Sequence, residues 1–170
     1  MASSRSEYVT DASVLIDLND GRVLGTLSGM PDGFYVPDVV VAELDVPDGA
    51  ALKRAGLRPE SLPGEAVVEV MRLTREERRI SVEDASALVL AERTGRGLLT
   101  GDRRLRELAQ KRSVAVHGTL WLLAQMVGAG VLPRRRAAEA LERMLECGRR
   151  LPESEARSLI HQWRAANEGA

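Results

Sequence analysis

Cysteine, lysine and aromatic side chains are all scarce in this 170-residue chain. Cys147 is the only cysteine, which excludes an internal disulfide framework and any multi-cysteine metal knuckle and suits a reducing compartment. Aromatic residues make up 3%, too few for a platform on which successive bases stack. The formal net charge is −1, which excludes a strongly basic nucleic-acid clamp and leaves room only for a local basic patch. Chemistry that needs a lysine has two candidates, Lys53 and Lys111. The longest apolar stretch, Thr119 to Val131, is interrupted by Gln125 and Gly128 and falls short of the roughly 20 apolar residues of a membrane span. The opening MASSRSEYVT has no apolar h-region, so a secretory leader is not expected and a cytoplasmic location is. What is present is a 44% hydrophobic content, enough for a packed domain and too high for disorder.

Patterning predicts strands over Glu7–Thr10, Phe34–Val36, Ala66–Met71, Gly97–Thr100 and Ser113–Val116. Between them, helices are expected over Ala12–Asn19, Val23–Leu27, from Pro37-Asp38 to about Leu44, over Ser81–Arg93 and over Asp102–Arg112. Asp45 to Gly64 carries Pro47, Pro59 and Pro63 and reads as loop with one short helical piece. Three helices close the chain, over Thr119–Ala129, Pro133–Glu146 and Pro152–Ala166. Strands alternating with helices predict an α/β fold, a three-layer α/β/α sandwich around a parallel sheet of about five strands, with the C-terminal helices added. Residues 7–132 are expected to form the main domain and 133–166 a helical pair packed on it or at a dimer interface. The last two helices carry the stripes Ala137, Leu141, Met144, Leu145 and Ala156, Leu159, Ile160, Trp163, which a second copy of the chain could cover.

Parallel sheets place their sites outside the carboxyl ends of the strands. Asp11 follows the first strand and Asp102 follows Leu98-Leu99-Thr100. Each could simply cap the next helix, and Asp84 stands at capping-box distance from Ser81. Helical spacing nevertheless puts Glu43 on the side of Val39 and Val40, and Asp84 on the side of Leu88 and Ala91. No lysine or arginine shares either stripe. Carboxylates facing a core are costly unless paired or metal-bound, and clustered carboxylates need a cation. Hard oxygen donors select Mg²⁺ or Mn²⁺, which serve phosphodiester hydrolysis.

Tyr8-Val-Thr-Asp11-Ala-Ser-Val-Leu-Ile, Val36-Pro-Asp-Val-Val-Val-Ala-Glu43, Val82-Glu-Asp84-Ala-Ser-Ala-Leu and Leu98-Leu-Thr-Gly-Asp102-Arg-Arg-Leu resemble PIN-domain nucleases, the family that includes VapC-type toxins. His117-Gly-Thr-Leu-Trp-Leu-Leu and the helices after it resemble a PIN-like subgroup of largely unassigned function. The resemblance implies a ribonuclease acting on RNA, with Asp11 and Asp102 as principal metal ligands, Asp84 and Glu43 completing the acidic pocket, and Ser13 and Thr100 as supporting hydroxyls. It also implies an antitoxin protein and a homodimer as partners. Two departures stand out: Arg103 and Arg104 occupy positions where many members carry a further acid, and Glu83 rivals Asp84.

Two other readings remain open. A non-catalytic PIN-like domain would keep the fold and the pocket. A phosphatase resembling the haloacid dehalogenases would need a DxD start, where this chain has Asp11-Ala-Ser, and a well-placed lysine. His117, His161 and Cys147 form no nucleophilic constellation, Trp121 reads as core rather than a base platform, and Asp17 reads as a surface residue.

Overall fold

The computed structural model describes residues 5–166. Five strands, β1 (Glu7–Thr10), β2 (Gly33–Pro37), β3 (Leu57–Glu60), β4 (Gly97–Leu99) and β5 (Val116–His117), form one sheet in the order β3-β2-β1-β4-β5. Every pairing is parallel, with Tyr8 beside Phe34 and Gly97, and Thr10 beside Leu99. Nine helices accompany it among the described residues: α1 (Ala12–Asp20), α2 (Asp38–Glu43), α3 (Gly49–Arg54), α4 (Gly64–Glu76), α5 (Val82–Thr94), α6 (Arg103–Lys111), α7 (Thr119–Gly128), α8 (Arg134–Glu146) and α9 (Glu153–Ala165). The segment expected to be helical over Val23–Leu27 is a 3-10 helix, Leu24–Gly29.

Strand alternation builds the three layers. Successive side chains point to opposite faces, so Phe34, Val36 and Leu99 join one apolar core while Val9, Tyr35 and Leu98 join the other. The first core is closed by α1, α7, α8 and α9, the second by α4, α5 and α6. The Ser81 side chain caps α5 by accepting from the Asp84 N–H at 3.0 Å, and Gly95, at φ +68°, ends it in a left-handed turn that suits glycine. Residues Ala85 to Ala91 of α5 are buried all round, because that helix packs on β1, β2 and β4 and between α4 and α6.

Three segments differ from the sequence reading. Ala66–Met71 lies inside α4 rather than in a strand. Its buried residues, Ala66, Val70 and Leu73, follow a helical period, while Val67, Val68 and Met71 lie on the exposed side and lend the segment its strand-like composition. The third strand of the chain is instead β3, at one edge of the sheet and within the proline-rich stretch read as loop. An edge strand tolerates Pro59, whose missing N–H would break an interior ladder. Finally, α8 packs on α1, and α9 on α8. Ala137, Leu141, Met144, Ala156 and Trp163 are thereby covered within the chain, and Leu145, Leu159 and Ile160 partly so. Most of each stripe is therefore covered within the chain.

Candidate active site

The sheet order reverses between β1 and β4, and the crevice outside the carboxyl ends at such a point is where parallel sheets hold their ligands. Asp11 lies at the end of β1 and caps α1, its Oδ1 accepting from the Val14 N–H at 3.1 Å. Asp102 follows β4 and caps α6 through the Leu105 N–H at 2.8 Å. Both acids are helix caps; Asp102 lines the crevice, while Asp11 is buried behind it.

Asp11 is 1% exposed. Ser13 Oγ lies 2.7 and 2.9 Å from its two oxygens, and Thr100 Oγ1 donates to Oδ2 at 2.5 Å. The Gly101 and Asp102 N–H groups donate in turn to Ser13 Oγ and Thr100 Oγ1, at 2.9 and 3.0 Å. Each hydroxyl, already accepting, turns its own proton to Asp11. Gly101 eases this approach, since a Cβ there would sit 3.2 Å from Ser13 Oγ, tighter than an ordinary contact. These donors are neutral, and burial outweighs them: the Asp11 carboxyl is pushed up to about 6, with the Asp84 charge adding to the rise.

That rise fixes the sign of a pH effect. Between the ordinary value of 3.8 and about 6 the folded protein keeps a proton that the unfolded chain has released, so stability falls as pH rises through this window, by about 3 kcal/mol in metal-free protein. Asp11→Asn should flatten this slope in denaturant titrations performed in chelator. An equal slope in the variant would show that another group carries it.

Asp84, in the first turn of α5, is half-buried. Burial raises its carboxyl above the ordinary range, followed by the Asp102 charge and, more weakly, Glu83. Asp11, Asp84 and Asp102 thus form one electrostatic chain, and Asp84 rather than Glu83 is the acid that acts on Asp11. Glu43 does not share the inward face expected of it: α2 buries Val40 and leaves Val39 and Glu43 exposed. Among the described residues, no three acids, histidines or cysteines converge closely enough to form a ready metal cage.

Asp17 is the residue the sequence reading missed. It is 3% exposed rather than on the surface. Thr119 Oγ1, at the start of α7, donates to its Oδ2 at 2.6 Å, and Arg149 Nε, in the α8–α9 linker, donates to its Oδ1 at 2.6 Å. Ser13, Asp17, Gly101 and Asp102 line a cavity of about 300 Å³ whose other wall is Gly148, Arg149 and Arg150. Asp17 stands one helical turn after Ser13, and that i+4 spacing was the only trace of it in the sequence. Arg149→Met should lower stability by about 2 kcal/mol, because it strands a buried carboxylate while Arg149 itself is 27% exposed. A drop of several degrees in thermal melts is expected; an unchanged melt would mean the pair is solvated and idle.

A parallel five-stranded sheet flanked by helices, with Asp11 and Asp102 following the neighbouring strands β1 and β4, defines a three-layer α/β domain. Residues 7–165 match the DUF3368 PIN-domain family, and the chain belongs to that family. Two solved structures share the fold. PAE2754 from Pyrobaculum aerophilum is 23% identical with a TM-score of 0.53, covering 72% of this chain and 90% of its own. The PilT N-terminus domain protein SSO1118 from Sulfolobus solfataricus P2 is 14% identical with a TM-score of 0.50, covering 71% of this chain and 92% of its own. No curated protein matches the sequence.

Proposed function

We propose that this chain is a divalent-metal-dependent endoribonuclease that hydrolyses RNA phosphodiester bonds, and that it serves as the toxin of a toxin–antitoxin pair in the cytoplasm. PIN domains are in general nucleases that use divalent metals, bind RNA and often pair with antitoxins. The observation that carries the reading for this chain is the Asp11 carboxylate: buried, lacking any cationic partner among the described residues, and repelled by a second acid that is repelled by a third. Such an arrangement is stabilised by a cation.

The donors fit Mg²⁺ or Mn²⁺, which prefer carboxylate oxygen. Mg²⁺ keeps several waters and takes only one or two protein carboxylates plus substrate phosphate, so a preformed cage is not required. Asp84 and Asp102 offer the accessible oxygens, Asp11 supplies buried negative charge beneath them, and Glu43 is the outer acid on α2, which packs against α5. When bound, the ion would supply charge neutralisation at the scissile phosphate and activation of water. Ser13 and Thr100 hold Asp11 in place, and the backbone N–H groups of Gly101 and Asp102 hold those hydroxyls.

The reading includes an antitoxin protein and a homodimer as partners; the dimer rests on the prevalence of twofold pairing, and sedimentation at micromolar concentration reads it. No helix among the described residues is long and apolar enough to cross a membrane. The decisive experiment incubates purified protein with mixed RNA in Mg²⁺, in Mn²⁺ and in chelator. Cleavage only with metal is expected. Binding without cleavage under all three conditions would favour the non-catalytic domain, the reading that the loosely spaced acids support.

A further inference from the structure

Beside the acidic cavity lies a second recess of about 410 Å³, and the two share Gly101 and Arg150 in their walls. Arg103, Arg106 and Arg150 line the recess, and among the described residues no carboxylate does. Arg106 is half-buried, and among the described residues its guanidinium makes one hydrogen bond, from Nη2 to the Thr100 carbonyl at 3.2 Å. Gly118 permits this course, since a Cβ there would stand 2.8 Å from that nitrogen. Among the described residues neither Arg106 nor Arg150 has an acidic partner, and Arg103 pairs only with Glu107 on its own exposed helix face. The start of α7 opens into the same recess, and Gly118 provides no side-chain cap for its free N–H groups. Three guanidinium groups gathered at the positive end of a helix repel one another, and an anion relieves that repulsion.

The lining also includes the apolar side chains of Leu120, Trp121 and Leu151. Trp121 is held rigid, stacked on His117 at 3.9 Å and set edge-on to Tyr8 at 5.4 Å. Burial and the Arg106 charge keep the His117 imidazole below its ordinary value, so it adds no cation of its own near neutral pH. A recess lined by both arginines and an aromatic ring matches a nucleotide, whose phosphate is anionic and whose base is flat and apolar on its faces.

We infer that this recess is a nucleotide subsite for single-stranded RNA, holding the nucleotide next to the scissile bond with its phosphate on Arg103, Arg106 and Arg150 and its base along Trp121. The inference rests on the ribonuclease reading of the neighbouring acids. It gives the α8–α9 linker a place in substrate binding, because Arg150 and Leu151 belong to that linker. A base paired in a duplex cannot enter such a recess, so the subsite selects unpaired strands.

The test uses Asp11→Asn protein in chelator, where nothing is turned over, with a labelled pentameric oligoribonucleotide and the same sequence in a duplex. The single strand should bind more tightly than the duplex. Arg106→Ala with Arg150→Ala should weaken binding about tenfold and lower the slope of log affinity against log salt by about two. Binding should also quench Trp121 emission, Trp163 being 5% exposed and giving a steady background. Exposed Arg150, changed alone to Glu, repeats the test should the double variant melt early. Unchanged affinity and salt slope, or unchanged emission, would overturn the subsite. Cleavage by otherwise wild-type protein separates the two readings. If it cleaves and the arginine variants keep its KM, the subsite falls and the ribonuclease stands. If it does not cleave, yet quenching depends on Arg150, the ribonuclease falls and the subsite stands.

Discussion

Asp11→Asn is expected to give a folded protein that cleaves RNA at least about a thousandfold more slowly than the parent chain. Loss of several kcal/mol of transition-state charge stabilisation corresponds to that factor. The fold should survive, because asparagine caps helices as well as aspartate and can still accept from the Val14 N–H. The same substitution should abolish the rise in thermal stability that Mg²⁺ or Mn²⁺ gives the parent protein, a rise of about 2.7 kcal/mol when the ion stands a hundredfold above its dissociation constant. Asp102→Asn should behave alike, since the Asp102 charge acts on Asp84 and the Asp84 charge acts on Asp11. Equal cleavage by parent and variant, or cleavage that persists in chelator, would assign the activity to other residues.

The second large effect concerns α9. Trp163 is buried in the same core as α1, α7 and α8. Trp163→Glu removes a large apolar side chain and places a charge where it stood, so a loss of about 4 kcal/mol or more is expected. Leu159→Glu, at a partly buried position, should cost clearly less. Denaturant titration measures both, and sedimentation shows whether any change of assembly accompanies unfolding. A Trp163→Glu chain that melts like the parent while changing only its oligomeric state would mean that α9 leaves the core to meet another copy.

The legible parts of the fold are those in which local signals agree with tertiary burial. In α5 the Ser81 cap, the Gly95 stop and the apolar run between them all point one way. The strands carrying Asp11 and Asp102 are short apolar runs ended by a polar residue, and they were readable because both faces are buried. Ala66–Met71 misled because three of its five apolar residues, Val67, Val68 and Met71, face solvent, which blurs the helical period. β3 was hidden because only Leu57 of its four residues is buried and Pro59 reads as a breaker. At the site, Asp11, Asp84 and Asp102 were legible from position and helical face. Glu43 was misjudged because Val39, taken as core, is exposed. Asp17 escaped because both of its partners are remote: Thr119 lies 102 positions later and Arg149 132 positions later, and no local pattern records pairings at that distance.

The separation between Asp17 and Arg149 also sets an order of events during synthesis. The acids at positions 11, 84 and 102 leave the ribosome well before the linker that walls their cavity. A growing chain therefore passes through a stage at which the sheet and its carboxylates are complete while Arg149 and Arg150 are still to come. Of the groups that meet Asp17, Arg149 is made last, after Thr119, and with Arg150 it forms the last wall of the cavity to be synthesised.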